Sequence, residues 1–252
     1  MKLLKENYTA EQFNWVIDLL NQSDIQTLLE QNRINDIFKY IITKGWGDYS
    51  VRRARALYDI LKSCNINALA YMDEVPHYLF KENVKLQRLE IPNNIVKIPE
   101  NAFYNCINLT NIKLSDKLSE IADEAFCNCI RLTDIHFPNA LTTIGTMAFY
   151  ACENLQSINF EQSSNLKIIG YNAFKNCESL KNVTLPEGLT TIRAEAFSDC
   201  NNLEYLYIPN TVTRIEEDAF NNCPKLKIKV PIKFKARHAW RNGLKDNQIE
   251  YY

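Results

Sequence analysis

Cysteine is the reactive residue with the most unusual placement in this sequence. Eight cysteines stand in 252 residues. Six of them, Cys106, Cys129, Cys152, Cys177, Cys200 and Cys223, follow one another at steps of 23, 23, 25, 23 and 23. Grouped thiols can form disulfides, hold a metal ion or act as nucleophiles. A metal site would need Cys-x-x-Cys pairs or histidines at ligand spacing. The sequence has neither: Cys127-x-Cys129 is an isolated pair, and His77, His136 and His238 are scattered. A Gly-rich phosphate loop, Gly-x-Ser-x-Gly and His-Glu-x-x-His are also missing. Three histidines offer little general-base capacity. Neither an enzyme, a cofactor, a bound metal nor a small-molecule substrate is expected, and the chemistry to look for is recognition.

Even spacing implies that the six thiols form a ladder. Parallel side chains in a ladder lack the crossing geometry that a disulfide needs. They are read as buried thiols packing as small hydrophobes. Cys64 and Cys127 stand outside the ladder and are the candidate exposed thiols.

The elements that position these cysteines repeat with them. Ala-Phe-x-x-Cys-x-x-Leu occurs six times, from Ala102-Phe103 through Ala125-Phe126, Ala148-Phe149, Ala173-Phe174 and Ala196-Phe197 to Ala219-Phe220. The Leu is generally followed by x-x-Ile-x-Leu-Pro and then x-x-Leu-x-x-Ile, as in Leu180, Val183, Leu185, Pro186, Leu189 and Ile192. The two extra residues of one unit fall in the polar stretch 161–165, which suits a surface bulge. A degenerate copy precedes the six: Leu79-Phe80 lies 23 residues before Ala102-Phe103, with Asn83 in the cysteine position. One such unit cannot bury its own apolar side, but stacked units can. Ile and Leu two residues apart point inward from a short strand, and the following Pro ends that strand. Each coil should add about 4.8 Å to a solenoid of parallel strands.

This unit resembles the BspA-type leucine-rich repeat, with its 23-residue coil and Ala-Phe-x-x-Cys signature, over roughly residues 70–232. The resemblance implies an α/β solenoid with short parallel strands, one per coil. It also implies a binding protein, since members of this family are often surface proteins that bind other proteins or host matrix.

Three regions follow. Residues 1–68 read as a small all-α helical domain or cap: Thr9-x-x-Gln12 and Ser23-x-x-Gln26 fit capping boxes, and Ala54, Leu57, Tyr58 and Leu61 share one helical face. Arg52, Arg53 and Arg55 form a basic cluster on that last helix, read as a solvated face, with docking of an acidic partner as the alternative. Residues 69–231 form the solenoid and 232–252 a basic C-terminal cap, with Phe234 and Trp240 as lid residues. Charge is uneven: 71–224 carry 12 basic and 20 acidic residues, whereas 225–252 carry 8 basic and 2 acidic. Lys225, Lys227 and Lys229 alternate with apolar residues, as on an edge strand protected against end-to-end stacking.

The informative positions lie two and four residues after each first Leu. They run Arg88 and Glu90, Asn111 and Lys113, Asp134 and His136, Ser157 and Asn159, Asn182 and Thr184, Tyr205 and Tyr207. This outward row varies while the inward row does not. Arg88, Lys113, Asp134, His136, Asn159, Asn182, Tyr205 and Tyr207 are the candidate partner-binding residues, with the tyrosine pair as anchor because aromatics are enriched at hot spots. Thr142, Thr143, Thr190, Thr191 and Thr213 on another face are read as strand propensity rather than recognition.

The expected function is a non-enzymatic protein-interaction module whose partner is another protein. A structural subunit of a viral or cellular assembly and a cell-surface adhesin are the alternatives. Nucleic acid is not expected, the tail Lys225–Arg241 being the weak route to it. The opening residues lack the apolar region of a secretory signal, and no apolar run approaches 18 residues. A cytoplasmic chain with reduced thiols and no membrane span is therefore expected.

Overall fold

A computed structural model describes residues 54–59, 62, 68–72, 74–160 and 164–252. Leu, Ile and Phe recurring at fixed steps can all be buried only if successive coils lie in register, and this is the arrangement seen. Phe80, Phe103, Phe126, Phe149, Phe174, Phe197 and Phe220 form one continuous stack, with centroids 4.9–5.9 Å apart and rings within 12° of parallel. The degenerate first copy thus contributes a full rung. Full burial of each ring contributes roughly 1.5–3 kcal/mol, and the stack runs through about seven turns.

Each coil has two strand segments. The front strands are β1 (Arg88–Glu90), β3 (Asn111–Lys113), β5 (Asp134–Phe137), β7 (Ser157–Phe160), β9 (Asn182–Thr184), β11 (Tyr205–Tyr207) and β13 (Lys227–Val230). The back strands are the two-residue segments β2 (Lys97–Ile98), β4 (Glu120–Ile121), β6 (Thr143–Ile144), β8 (Ile168–Ile169), β10 (Thr191–Ile192) and β12 (Arg214–Ile215). All pairings are parallel and join equivalent residues of neighbouring coils, as in Asp134 with Ser157 and Asn182 with Tyr205. The back sheet is continuous, while the front ladder is interrupted between β3 and β5.

The solenoid is a β-solenoid, which corrects the α/β expectation. The Ala-Phe-x-x-Cys segment turns instead of forming a helix. In every coil two of its residues, four apart, have φ between +52° and +61°, among them Asn101 and Asn105, Glu124 and Asn128, and Met147 and Ala151. Left-handed residues in this pattern interrupt any helix. The backbone N–H groups here reach into the next coil: Phe103 to the Ala125 carbonyl at 2.8 Å, Phe126 to Ala148 at 2.7 Å, Phe149 to Ala173 at 2.8 Å. This turn face is a third inter-coil ladder. Asn and Asp tolerate the left-handed region, while Met147 and Ala151 are held there by the ladder on both sides.

Residues 54–59 are helical, and Ala54, Ala56, Leu57 and Tyr58 are buried against the first coil. The Tyr58 ring meets Phe80 edge-on at 5.0 Å. Apart from residues 62 and 68, the remainder of the expected all-α domain, with Cys64, Arg52 and Arg53, lies outside the described residues. So do residues 161–163 of the expected bulge.

One expectation at the C-terminal end changes. The Lys227–Val230 strand is not the sheet edge, because the chain returns through 3-10 turns to add β14 (Ile249–Tyr251) parallel to β13. Trp240 and Phe234 are buried, with Trp240 edge-on to Phe220 at 6.4 Å.

Candidate functional site

Apart from the half-buried Leu89, the inward Ile, Leu and Val of the front strands are buried, so the pleat turns the residues between them to solvent. All eight candidate residues, Arg88, Lys113, Asp134, His136, Asn159, Asn182, Tyr205 and Tyr207, are exposed on this one outer face. They fall into two columns. Arg88, Asn111, Asp134, Ser157, Asn182, Tyr205 and Lys227 form the first. Glu90, Lys113, His136, Asn159, Thr184, Tyr207 and Lys229 form the second. Lys113 is ion-paired with Glu90 at 2.6 Å, which raises its pKa, first through the hydrogen bond and then through the carboxylate charge. Asp134 accepts a hydrogen bond from Thr133 Oγ1 at 2.8 Å. Among the described residues, the side chains of Arg88, Asn111, His136, Ser157, Asn159, Asn182, Thr184 and Tyr205 make no hydrogen bond or ion pair. Tyr207 stacks on Tyr252 at 5.1 Å, and Tyr252 donates its hydroxyl to the Ile208 carbonyl.

The back face is different. Ser119, Thr142, Thr190 and Thr213 each donate a hydroxyl to a carbonyl of the preceding coil, at 2.9–3.4 Å. This is a more specific reason for threonine there than strand propensity. Asn108, Asn154 and Asn202, at the corner before the front strands, likewise donate to Val84, Ile130 and Glu178 of the coil before.

The thiol ladder is buried and reduced. Each Sγ donates to the carbonyl of the phenylalanine one coil earlier, from Cys106 to Phe80 at 2.8 Å to Cys223 to Phe197 at 3.1 Å. Cysteine therefore fills the site as a small apolar residue that still carries one weak donor. Burial pushes the Cys106 and Cys223 thiols up to about 12, and those of Cys129, Cys152, Cys177 and Cys200 rise for the same reason. Cys127 is not the exposed thiol expected: it is 5% exposed, and burial pushes it up to about 11. None of these thiols is poised as a nucleophile.

Cations close both ends of the ladders. The carbonyls of Leu79 and Lys81, which in later coils accept the preceding coil's N–H groups, both accept from the Arg55 guanidinium. Arg55 thus replaces a missing coil, and the solvated-face reading of this residue is corrected. At the other end Lys233 donates to the Asn210 carbonyl, Arg237 to Thr213, and Gln248 to Cys223 and Leu226. Part of the tail's positive charge, Lys233 and Arg237, serves this purpose. Residue spacing could not reveal Arg55, Gln248 or Tyr252, because each acts once and has no repeat.

The family profile described as "BspA type Leucine rich repeat region" matches residues 73–165 and 159–236, in six copies. The chain belongs to the BspA-type leucine-rich repeat family. Among solved structures, this BspA-type chain is similar to a Treponema pallidum leucine-rich repeat protein, with 34% identity, a TM-score of 0.56, and coverage of 59% of this chain and 69% of that one. A leucine-rich repeat protein from Eubacterium ventriosum shares 26% identity with a TM-score of 0.45, over 54% of this chain and 42% of that one. A leucine-rich cell surface protein from Faecalibacterium prausnitzii shares 21% identity with a TM-score of 0.33, over 68% and 61%. The chain therefore spans less than two thirds of the latter two proteins. No curated protein matched it.

Proposed function

We propose that this chain is a non-enzymatic protein-binding module, and that the outer face of its front sheet is the recognition surface. One observation carries the reading. Ser119, Thr142, Thr190 and Thr213 on the back face, and Asn108, Asn154 and Asn202 at the corners, are committed to neighbouring coils, whereas most of the front row has no partner within the described chain. Exposed polar and aromatic side chains on a stiff sheet suit recognition, since little conformational entropy is lost on binding. Tyr205 is 56% and Tyr207 39% exposed, at the centre of the C-terminal half of this face. The N-terminal region is proposed as a helical cap or docking unit. A cytoplasmic location, with the thiols reduced, completes the proposal.

Affinity capture with the full chain tests it. The Tyr205→Ala/Tyr207→Ala variant should lose the captured partner, and Thr142→Val/Thr190→Val on the back face should retain it. The reverse pattern would refute the front-face reading. Protease shaving of intact source cells tests location: loss of the protein would place it on the cell surface, as an adhesin would be.

A further inference from the structure

We infer that the C-terminal half of the front face is the anchor for an acidic, extended segment of a partner protein. This deepens the proposed function and rests on it. The strand register places Tyr205 beside Lys227 and Tyr207 beside Lys229, with Asn182 and Thr184 on the other flank of the tyrosines. Neighbouring strands lie about 4.8 Å apart, and alternate residues along a strand about 6.6–6.8 Å. An extended segment lying along the strands has that same alternate-residue repeat. Carboxylates at i and i+2 would face Lys227 and Lys229, while the stem of the segment covers the tyrosine rings. Ile232, 58% exposed, borders the same end of the sheet.

The charge argument is local. Residues 225–252 carry 8 basic and 2 acidic residues. Lys233 and Arg237 are held by carbonyls of the last coil, and Arg241 by Asp246 within the cap. Lys225, Lys227 and Lys229 reach Asn202 Oδ1, the Asn247 carbonyl and Glu250, all on exposed contacts. A surface pair such as Lys229 with Glu250 contributes little and yields readily to a competing carboxylate. The cationic strip is one strand wide, with Glu250 on one side and Asp134 further along the other. A phosphate backbone needs a longer track of cations, so the strip fits a few carboxylates better than a nucleic acid.

Fluorescence anisotropy with a labelled decapeptide of alternating glutamate and valine tests this on the full chain. Saturable binding is expected, at least tenfold weaker at 300 mM than at 50 mM salt. Lys227→Glu/Lys229→Glu and Tyr205→Ala/Tyr207→Ala should each weaken it at least tenfold, and Lys117→Glu/Lys167→Glu on the other side should change it less than twofold. Lys227→Gln/Lys229→Gln repeats the test should the charge reversal melt early. Absence of saturable binding, equal loss in the Lys117/Lys167 control, or equally tight binding of a ten-nucleotide oligothymidylate would overturn the inference. Capture of the cellular partner that survives both lysine variants but not the tyrosine variant would overturn the acidic assignment alone and leave the front-face reading standing.

Discussion

The back and front faces of this solenoid are built from the same coils, yet they use polar side chains in opposite ways. On the back face Thr142, Thr190 and Thr213 hand their hydroxyls to the preceding coil. On the front face Asn159, Asn182 and Thr184 occupy equally regular positions and bond to nothing within the described chain. The lesson is that exposure alone does not mark a recognition surface in a repeat protein. What marks it is exposed polarity that the stack does not consume.

This contrast can be broken from the interior outward. The largest effect should come from a charge in the thiol ladder. Cys152→Asp places a carboxylate where no water and no cation reaches, and should cost at least about 4 kcal/mol; a melting curve like the parent's would show that the ladder is open to solvent. Phe149→Ala, in the middle of the ring stack, should cost about 3–5 kcal/mol by urea denaturation. Both changes remove the two faces together.

Alkali should act on the same interior. The folded thiols titrate above their unfolded value, so their protonated form is favoured by folding. That contribution is complete below about pH 8.5 and is lost as pH rises towards 12, at up to about 1.4 kcal/mol per thiol and pH unit. Chemical denaturation midpoints should be level from pH 6 to 8 and fall steeply above 9. A midpoint that holds steady to pH 11 would contradict the burial of the ladder.

Smaller changes separate the faces. Thr190→Val removes one inter-coil hydrogen bond and should lower stability by about 0.5–1.5 kcal/mol without touching recognition. Asn182→Ala should move stability by less than about 0.5 kcal/mol and should weaken partner capture. A loss of stability at Asn182 as large as that at Thr190 would erase the distinction between committed and free polar residues.

Much of this architecture is visible in the sequence, because burial imposes the same residue at every coil. Phe80 was readable as a rung even with Asn83 in place of cysteine, since its spacing to Phe103 was kept. The front-face candidates followed from the same period. The turn-face ladder was hidden because the left-handed backbone is held by stacking and accepts Asn, Asp, Glu, Met and Ala alike. Arg55 and β14 were hidden for another reason: a cap is needed once at each end and leaves no period to detect. The edge strand was misplaced accordingly. The alternating lysines of Lys227–Val230 do look outward, but the last three-residue strand comes after irregular turns and carries too short a pattern to read.

The account stands most directly on the tyrosine pair. Melting and partner capture measured side by side on the parent and on Tyr205→Ala/Tyr207→Ala decide it. The account predicts a melting temperature within about 5 °C of the parent, since Tyr205 is a surface residue and Tyr207 gives up only its stack on Tyr252, together with at least a thirtyfold loss of affinity, about 2 kcal/mol for a hot spot. Undiminished capture by a well-folded double variant would contradict it.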